Sequence, residues 1–467
     1  MSLTKASYSM ITGAPINVKD FGAVGDGSTD DTAAIQAAIN YCINLSNRKQ
    51  TLYFPAANAA TVYKITSPLT ITGRLNIVGD GPFTATLRGV GMTAGQFILD
   101  WNCVAADNIY TSGISNITIT CDNNLPNGVR LKNVSYVLMK QVRLEQVYIG
   151  VSIQGTNCFS NSFEQVTGYN NAYAAVVFET FSGGGQYMFN GCTFSGGYGF
   201  LIRDTAATDS VTLECCNFEA CTSTCLLVNG SVNGLTILGS RTEGNVGTYD
   251  FQINPTGANY VHGVSITGCN FGAATGTVTP IAFGGVVSGI SITGNNAGYC
   301  AFTQFIYLNG SGEAGVISGN YSNYAPKITN VNRPNLYVFA NRNASGPLPD
   351  YFGVNSSYTA TATGMTTSPT GSVKYSIVGN LVTLDIPAIS GTSNTTALTL
   401  TGAPTTIAPA TDKDLLIRVI DAGTSYLGFA RVKTTGVIEF YTSINGAGFT
   451  ASGTKSTNTG SISYTLA

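Results

Sequence analysis

Charge is scarce in this chain: Asp, Glu, Lys and Arg make up only 10% of its 467 residues, where about 25% is usual in a globular protein. The 22 basic and 24 acidic side chains leave a net charge of −2 with no block of either sign, so nothing tracks a phosphate backbone and no nucleic acid partner is expected. There is one histidine, His262, which argues against a Ser-His-Asp triad or a histidine-built metal site. Fifteen prolines without a three-residue glycine period exclude collagen. No run approaches the length of a membrane span, and the N-terminus lacks a charged segment followed by an apolar stretch and a small-residue cleavage site. Neither membrane insertion nor an export signal is therefore expected.

What is present is glycine, at 55 residues, with abundant Ser, Thr and Asn, 43% hydrophobic residues and 10% aromatics. Such a chain can offset its ordering entropy with a large core and should not be disordered. The 11 cysteines are an odd number and sit in apolar segments such as Leu213-Glu214-Cys215-Cys216. They read as reduced, buried thiols of a protein made in the cytoplasm. Cys221 and Cys225 lack a second pair at ligand spacing, so zinc is not expected. Asp26-Gly27-Ser28-Thr29-Asp30-Asp31 looks like a calcium loop but lacks the closing bidentate Glu. Gly183-Gly184-Gly185 has no Lys and no following helix to cradle a phosphate. No cofactor and no metal are expected.

Residues 17–50 read as a short strand, a glycine-rich turn and one amphipathic helix. Ser28 to Asp31 supply caps, and Ile35, Ala38, Ile39 and Cys42 form an apolar stripe across Thr32 to Leu45. Thr51-Leu52-Tyr53-Phe54-Pro55 is a strand closed by proline. Then the chain becomes periodic. Phe189-Asn190-Gly191-Cys192-Thr193-Phe194 aligns with segments centred on Cys216, Ser240, Cys269 and Asn295, at separations of 24 to 29 residues. A second short strand follows in each unit, as at Gly199–Ile202, Cys225–Val228 and Asp250–Ile253. Short strands with no helix between them predict the coils of a right-handed parallel β-helix over residues 51–343. Trp101, the single tryptophan, precedes the clear repeats and should pack in an early coil. Low charge is what such stacking needs, because like charges would repel at every step of a column. The helix would cap the open end. Residues 344–370 read as a Ser/Thr/Gly-rich linker. Residues 371–467 read as a C-terminal β-sandwich for trimerisation or carbohydrate binding, with a hairpin at Lys374–Asp385 and strands near Asp414–Asp421, Tyr426–Lys433 and Gly436–Tyr441. The fold class is all-β, with residues 1–16 an N-terminal arm.

The segment from Asn17-Val18-Lys19-Asp20-Phe21-Gly22 through Asp26-Gly27, Thr29-Asp30-Asp31-Thr32, Ile35-Gln36 and Ile39 resembles the start of the pectate-lyase-like β-helix of polygalacturonases and bacteriophage tailspikes. The stretch Asp414–Asp421, with Phe449–Lys455 and Ser463–Leu466, is similar to the end domain of capsule-degrading tailspikes. The resemblance implies a homotrimeric virion tail component that cleaves a bacterial surface polysaccharide, capsule or O-antigen, and joins a phage tail or baseplate protein through its N-terminus. Tailspikes often carry a long N-terminal virion-binding domain, whereas 16 residues precede the motif here, so the anchor is expected to be minimal or the chain trimmed.

Hydrolysis of a glycosidic bond needs two carboxyl groups, one protonated and one ionised. In the repeat frame, the position after the aligned Phe or Thr reads Glu164, Ser195, Glu219, Glu243 and Gly272, with Glu145 also in frame. Glu219 and Glu243 fall in adjacent coils, where mutual repulsion favours keeping one protonated, so they are the expected catalytic pair. Taken singly, each reads more readily as a glutamate on a wet face; it is the pair, adjacent like charges in a charge-poor stack, that needs a reason. Arg241 would neutralise a carboxylate, bind an acidic sugar, or simply pair with Glu219. A second column reads Glu179, Asp204, Gly230 and Pro255, with Arg203 beside it; Asp204 is either an alternative catalytic partner for Glu219 or a turn residue. Tyr173, Tyr198 and Tyr249 could stack on sugar rings. On the same fold, a lyase acting on a uronic acid or a non-catalytic receptor-binding protein are the alternatives.

Overall fold

The helix predicted over Thr32–Leu45 spans Thr32–Asn44 and buries Ile35, Ala38, Ile39 and Cys42. These details come from a computed structural model that describes residues 14–44, 51–57, 61–104, 109–156, 158–272, 278–298, 304–312, 314–323, 327–329, 335–348, 351–352 and 354–466. Leu45 and most of the predicted N-terminal arm lie outside the described residues. Gln36 on the helix imitates a strand. Its Nε2 donates to Thr70 O at 3.0 Å and its Oε1 accepts from Thr70 N–H at 2.9 Å, on the strand Leu69–Ile71. The helix thus satisfies backbone groups that an open end would expose. Asp26 to Asp30, predicted as the end of a turn followed by helix caps, forms a short strand parallel to Thr61–Ile65. Asp31 turns away from the helix and accepts from the N–H groups of Val24 and Gly25 at 2.6 and 3.0 Å.

Parallel pairing then carries the chain through successive coils of a right-handed β-helix. The predicted frame holds: Phe189 pairs with Leu213, Leu213 with Ile237, Ile237 with Ile266 and Ile266 with Ile292. At one corner, Asn116, Gln141, Gln165, Gly191, Cys215, Gly239, Gly268, Gly294, Gly319 and Ala340 all have φ between +52° and +64°. The following residue points inward, and from Cys192 onward it donates to a carbonyl of the preceding coil. Cys192 Sγ reaches Phe163 O at 3.3 Å, Cys216 Sγ reaches Phe189 O at 3.4 Å, and Asn295, Asn320 and Asn341 Nδ2 reach Ile266, Ile292 and Ile317 O at 2.8, 2.9 and 3.0 Å. This corner corrects one expectation. Cys215, read as a buried hydrophobe, is exposed because it occupies the left-handed position while Cys216 takes the interior one.

Stacked phenylalanines fill the interior, with Phe163 on Phe189 at 4.3 Å and Phe194 on Phe218 at 5.3 Å. Thr242 interrupts the Phe column, and Phe251 bridges the gap, 5.2 Å from both Phe218 and Phe271. The Thr242 hydroxyl donates to Asp250 Oδ2 at 3.0 Å, and Asn245 Nδ2 and Cys225 Sγ donate to Oδ1 at 3.0 and 3.4 Å. Burial pushes the Asp250 carboxyl up to about 6, against the opposing pull of these three donors. Trp101 is fully buried in an early coil. Among the described residues, no helix is long and apolar enough to cross a membrane.

A second compact unit follows, built on a ten-stranded antiparallel sheet whose strands share one apolar core that includes Val373, Leu384, Val419, Ala430, Ile438 and Ile462. The predicted hairpin is present, Lys374 pairing with Asp385 and Val378 with Leu381 across Gly379-Asn380. The span 344–370 is not simply a linker. Val354–Thr363 is a strand of this sheet, antiparallel to Thr370–Val378, and its buried alanines Ala360 and Ala362 are masked in sequence by the surrounding Ser and Thr.

A side chain added at Gly268 would meet no atom within 4 Å, so its substitution tests the corner backbone alone. Gly268→Val should lower the unfolding free energy by about 1–2 kcal/mol in chemical denaturation, and Gly268→Asn by less. Because its folded pKa is raised, Asp250 favours the fold most below about pH 4, and that contribution is lost as pH rises through about 6, a change on the order of 3 kcal/mol. Asp250→Asn should flatten the fall in stability across this window.

Candidate functional site

The strand Asn217–Cys221 lies beside Arg241–Glu243 with Glu219 paired to Glu243, Phe218 to Thr242 and Asn217 to Arg241. Phe218 and Thr242 point into the core, so strand alternation directs the two glutamates, Asn217 and Arg241 outward. Adjacent parallel strands are about 4.8 Å apart, and this sets the spacing at which the carboxylates leave the backbone. Their partners differ. Glu219 Oε2 accepts from Asn217 Nδ2 at 3.1 Å, a neutral amide, whereas Glu243 Oε2 accepts from the Arg241 guanidinium. Arg241 thus neutralises Glu243 along its own strand, one of the roles expected of it, and does not pair with Glu219. Both members are about half exposed, at 51% and 45%, so the pair is open to a ligand.

The same ladder holds a second copy of this pattern. Arg143 pairs with Thr167, Thr167 with Thr193, Thr193 with Asn217 and Asn217 with Arg241, so the tripeptides Arg143-Leu144-Glu145 and Arg241-Thr242-Glu243 share one column. Arg143 Nε donates to Glu145 Oε2 at 2.5 Å, and the guanidinium sits 5.2 Å from the Phe83 ring centroid and 4.7 Å from that of Tyr169. Glu145 is therefore in the predicted frame. Glu164 is not: it pairs with Asn190 and Lys140, on the strand before the corner, and its carboxylate meets Lys140 Nζ at 2.8 Å. The left-handed corner at Gln165 separates it from the column of Glu219 and Glu243.

The second predicted column is also shifted by one position. Phe178 pairs with Ile202, so Glu179 stacks over Arg203 and not over Asp204. Ser152 Oγ and Gln154 Nε2 donate to Glu179 Oε2 at 2.8 and 2.5 Å, while Arg203 Nη2 stands 3.8 Å from Oε1. Asp204 occupies the exposed turn after Ile202, and its carbonyl accepts from Asn259 Nδ2 at 2.8 Å. Its equivalent in the coil of Glu219 is Gly230, beyond the strand Leu226–Val228, so the two acids are not brought together. Tyr148 stacks on Tyr173 at 5.2 Å and 15°, and Tyr173 meets Tyr198 edge-on at 5.6 Å. Gly197 lets its backbone approach that of Tyr173, since an added Cβ would lie 2.2 Å from Tyr173 O. Burial raises the Tyr173 hydroxyl pKa, opposed by Arg203, so the ring stays neutral. Tyr249 falls in the column of Tyr198 but with Thr224 between them, outside this cluster. Sequence reasoning missed Tyr148, Ser152, Gln154 and Arg143. Tyr148, Tyr173 and Tyr198 are evenly spaced at 25-residue intervals, the one signal that pointed to the first of them. Among the described residues, no three His, Cys, Asp or Glu side chains gather to hold a metal ion.

Residues 15–236 match the model of the family described as rhamnogalacturonase A/epimerase, pectate lyase-like. The chain is 27% identical over 211 residues, 43% of its own length and 22% of the relative's, to a probable glucan endo-1,3-beta-glucosidase of Arthroderma benhamiae. It is 35% identical over 114 residues to the tail spike protein of Shigella phage Sf6, covering 24% of this chain and 17% of that protein. Over 72 residues, 14% of the chain, it is 44% identical to 7% of a mannuronan C5-epimerase of Azotobacter vinelandii. Each match covers only a minor part of the relative's own length. The Dettilon tailspike structure superposes on 94% of this chain and 93% of its own at a TM-score of 0.65 and 15% identity. The ORF18 protein of Geobacillus virus E2 does so over 93% and 78% at 0.50 and 18%. At such identities the likeness is one of fold.

The ion pair of Glu164 with Lys140 is 42% and 50% exposed. Glu164→Gln should therefore change the unfolding free energy by less than about 1 kcal/mol in chemical denaturation, and less still at high salt.

Proposed function

We propose that this protein is a phage tailspike depolymerase that binds a bacterial surface polysaccharide, capsule or O-antigen, and hydrolyses its glycosidic bonds during host recognition. The observation that carries this reading is the outward stacking of Glu219 over Glu243 in a chain otherwise poor in charge. Two carboxyl groups leaving the backbone about 5 Å apart suit the retaining arrangement, in which one protonates the leaving oxygen and the other attacks the anomeric carbon. In this reading Glu243, beside the Arg241 guanidinium, takes the nucleophile's role and Glu219, beside the neutral Asn217 amide, that of the general acid. Similarity to a phage tail spike protein and to a probable glucosidase supports the setting and the substrate class. Homotrimeric assembly, location in the virion tail and attachment to a tail or baseplate protein through the N-terminus belong to the same reading.

A second reading, elimination in place of hydrolysis, draws on the segment shared with the mannuronan C5-epimerase, because epimerisation and elimination both begin by removing the C5 proton of a uronic acid. Purified protein incubated with a panel of bacterial capsules, with reducing ends and the ultraviolet absorbance of unsaturated uronates followed together, separates the two. Hydrolysis gives reducing ends alone. Glu219→Gln and Glu243→Gln should each lower their rate at least about 100-fold without loss of folding. Undiminished rates in both variants overturn the assignment of the pair, absorbance rising with the reducing ends makes the enzyme a lyase, and binding without products makes the protein a non-catalytic adhesin.

A further inference from the structure

Arg203 differs from the other ion-paired cations among the described residues of the β-helix. Arg130 reaches Asp100 at 2.6 Å, Lys140 reaches Glu164 at 2.8 Å, Arg143 reaches Glu145 at 2.5 Å, and Arg241 is in contact with Glu243. Arg203 stops 3.8 Å short of Glu179 Oε1, and the other oxygen of that carboxylate is already held by Ser152 and Gln154. Its Nε is buried without a hydrogen-bond partner, and its side chain remains 38% exposed. The guanidinium rests on the Tyr173 ring at 5.2 Å. A guanidinium partly removed from water and lacking a hydrogen-bonded acid is costly, and a carboxylate is the group whose geometry its fork matches.

An aromatic surface adjoins it. Tyr173 and Tyr198 lie over the outward-facing Val177 and Leu201, and Tyr148, stacked on Tyr173, is 41% exposed. A flat ring beside a cation offers a sugar one face to stack on and one charge to pair with. This cluster lies around a corner from the Glu219 and Glu243 ladder, on the face that continues into Leu226–Val228. We propose that it is a second glycan-binding site, separate from the carboxylate pair, that takes an acidic sugar, stacking the ring on Tyr148 and holding a uronate carboxylate with Arg203. The inference rests on the reading of the protein as polysaccharide-binding and narrows its substrate to an acidic polymer.

The test is calorimetric titration of the full chain with short oligomers of galacturonate, mannuronate and glucuronate and with their carboxyl-reduced forms. At least one acidic oligomer should bind about tenfold or more tightly than its reduced form. Arg203→Gln should abolish that preference, and Arg203→Lys should restore part of it. Tyr148→Ala, at an exposed position, should weaken both forms alike. Equal binding of acidic and reduced oligomers, unchanged binding by Arg203→Gln, or no binding of any oligomer overturns the proposal. Glu219→Gln separates the two readings. Uronate binding that survives in this variant while cleavage is lost supports both sites, whereas intact cleavage with binding lost only in Arg203→Gln removes the carboxylate assignment and leaves this one standing.

Discussion

One residue in each coil must turn the backbone through the left-handed region, and the rest of the β-helix depends on it. The column from Asn116 to Ala340 keeps φ near +60° through successive coils, although its occupants change from Asn and Gln to Gly, Cys and Ala. An L-residue there carries a steric cost that glycine avoids; where amides occupy the column they can meet from coil to coil, as Gln141 Nε2 donates to Gln165 Oε1 at 3.2 Å. The turn fixes where the next side chain enters the core. Because it recurs at the same place, the inward Cys, Ser and Asn each find a carbonyl one coil away. A slip of one residue would send these polar groups outward and the phenylalanines with them.

The same stacking explains the shortage of charge. Equivalent side chains recur about every 4.8 Å, so a charged column is tolerable only if interrupted, paired or neutralised. On the strands of the β-helix, cations and acids meet along a strand, as Arg143 and Arg241 meet their glutamates, or across neighbouring coils, as Lys140 meets Glu164 and Arg130 meets Asp100. Two of the departures from that rule bear on ligand binding. Glu219 stands over Glu243 with a single guanidinium, held by Glu243, and Arg203 meets its acid only at 3.8 Å. Both lie on outward-facing strands, where a long ligand can reach them. The buried Asp250 is a departure of a different kind, a carboxyl beside Thr242 held by three donors.

Much was legible without coordinates. The period of 24 to 29 residues gave the coils and their register from Phe189 onward, because short strands of near-constant length leave little freedom in how they stack. The helix was legible to within one residue because its apolar stripe has the helical period. Pairing of Glu219 with Glu243 followed from the same frame. The frame failed where strands change length. Glu164 and Glu179 were misplaced because the corner at Gln165 and the end of the strand Thr167–Ser182 are local features with no signature beyond an ordinary polar residue.

By itself, then, the sequence determined the β-helix, its capping helix, the antiparallel C-terminal unit and the ladder that stacks two glutamates, since all of these follow from hydrophobic period and repeat length. Only the tertiary structure decided which charge meets which. It gave Arg241 to Glu243, Glu164 to Lys140 and Glu179 to Ser152 and Gln154, and it left Arg203 on the Tyr173 ring. The physical reason is one of distance. Register fixes Cα positions to within a strand spacing, whereas an ion pair or hydrogen bond is decided over about 1 Å by side-chain direction, which depends on neighbours far apart in the chain.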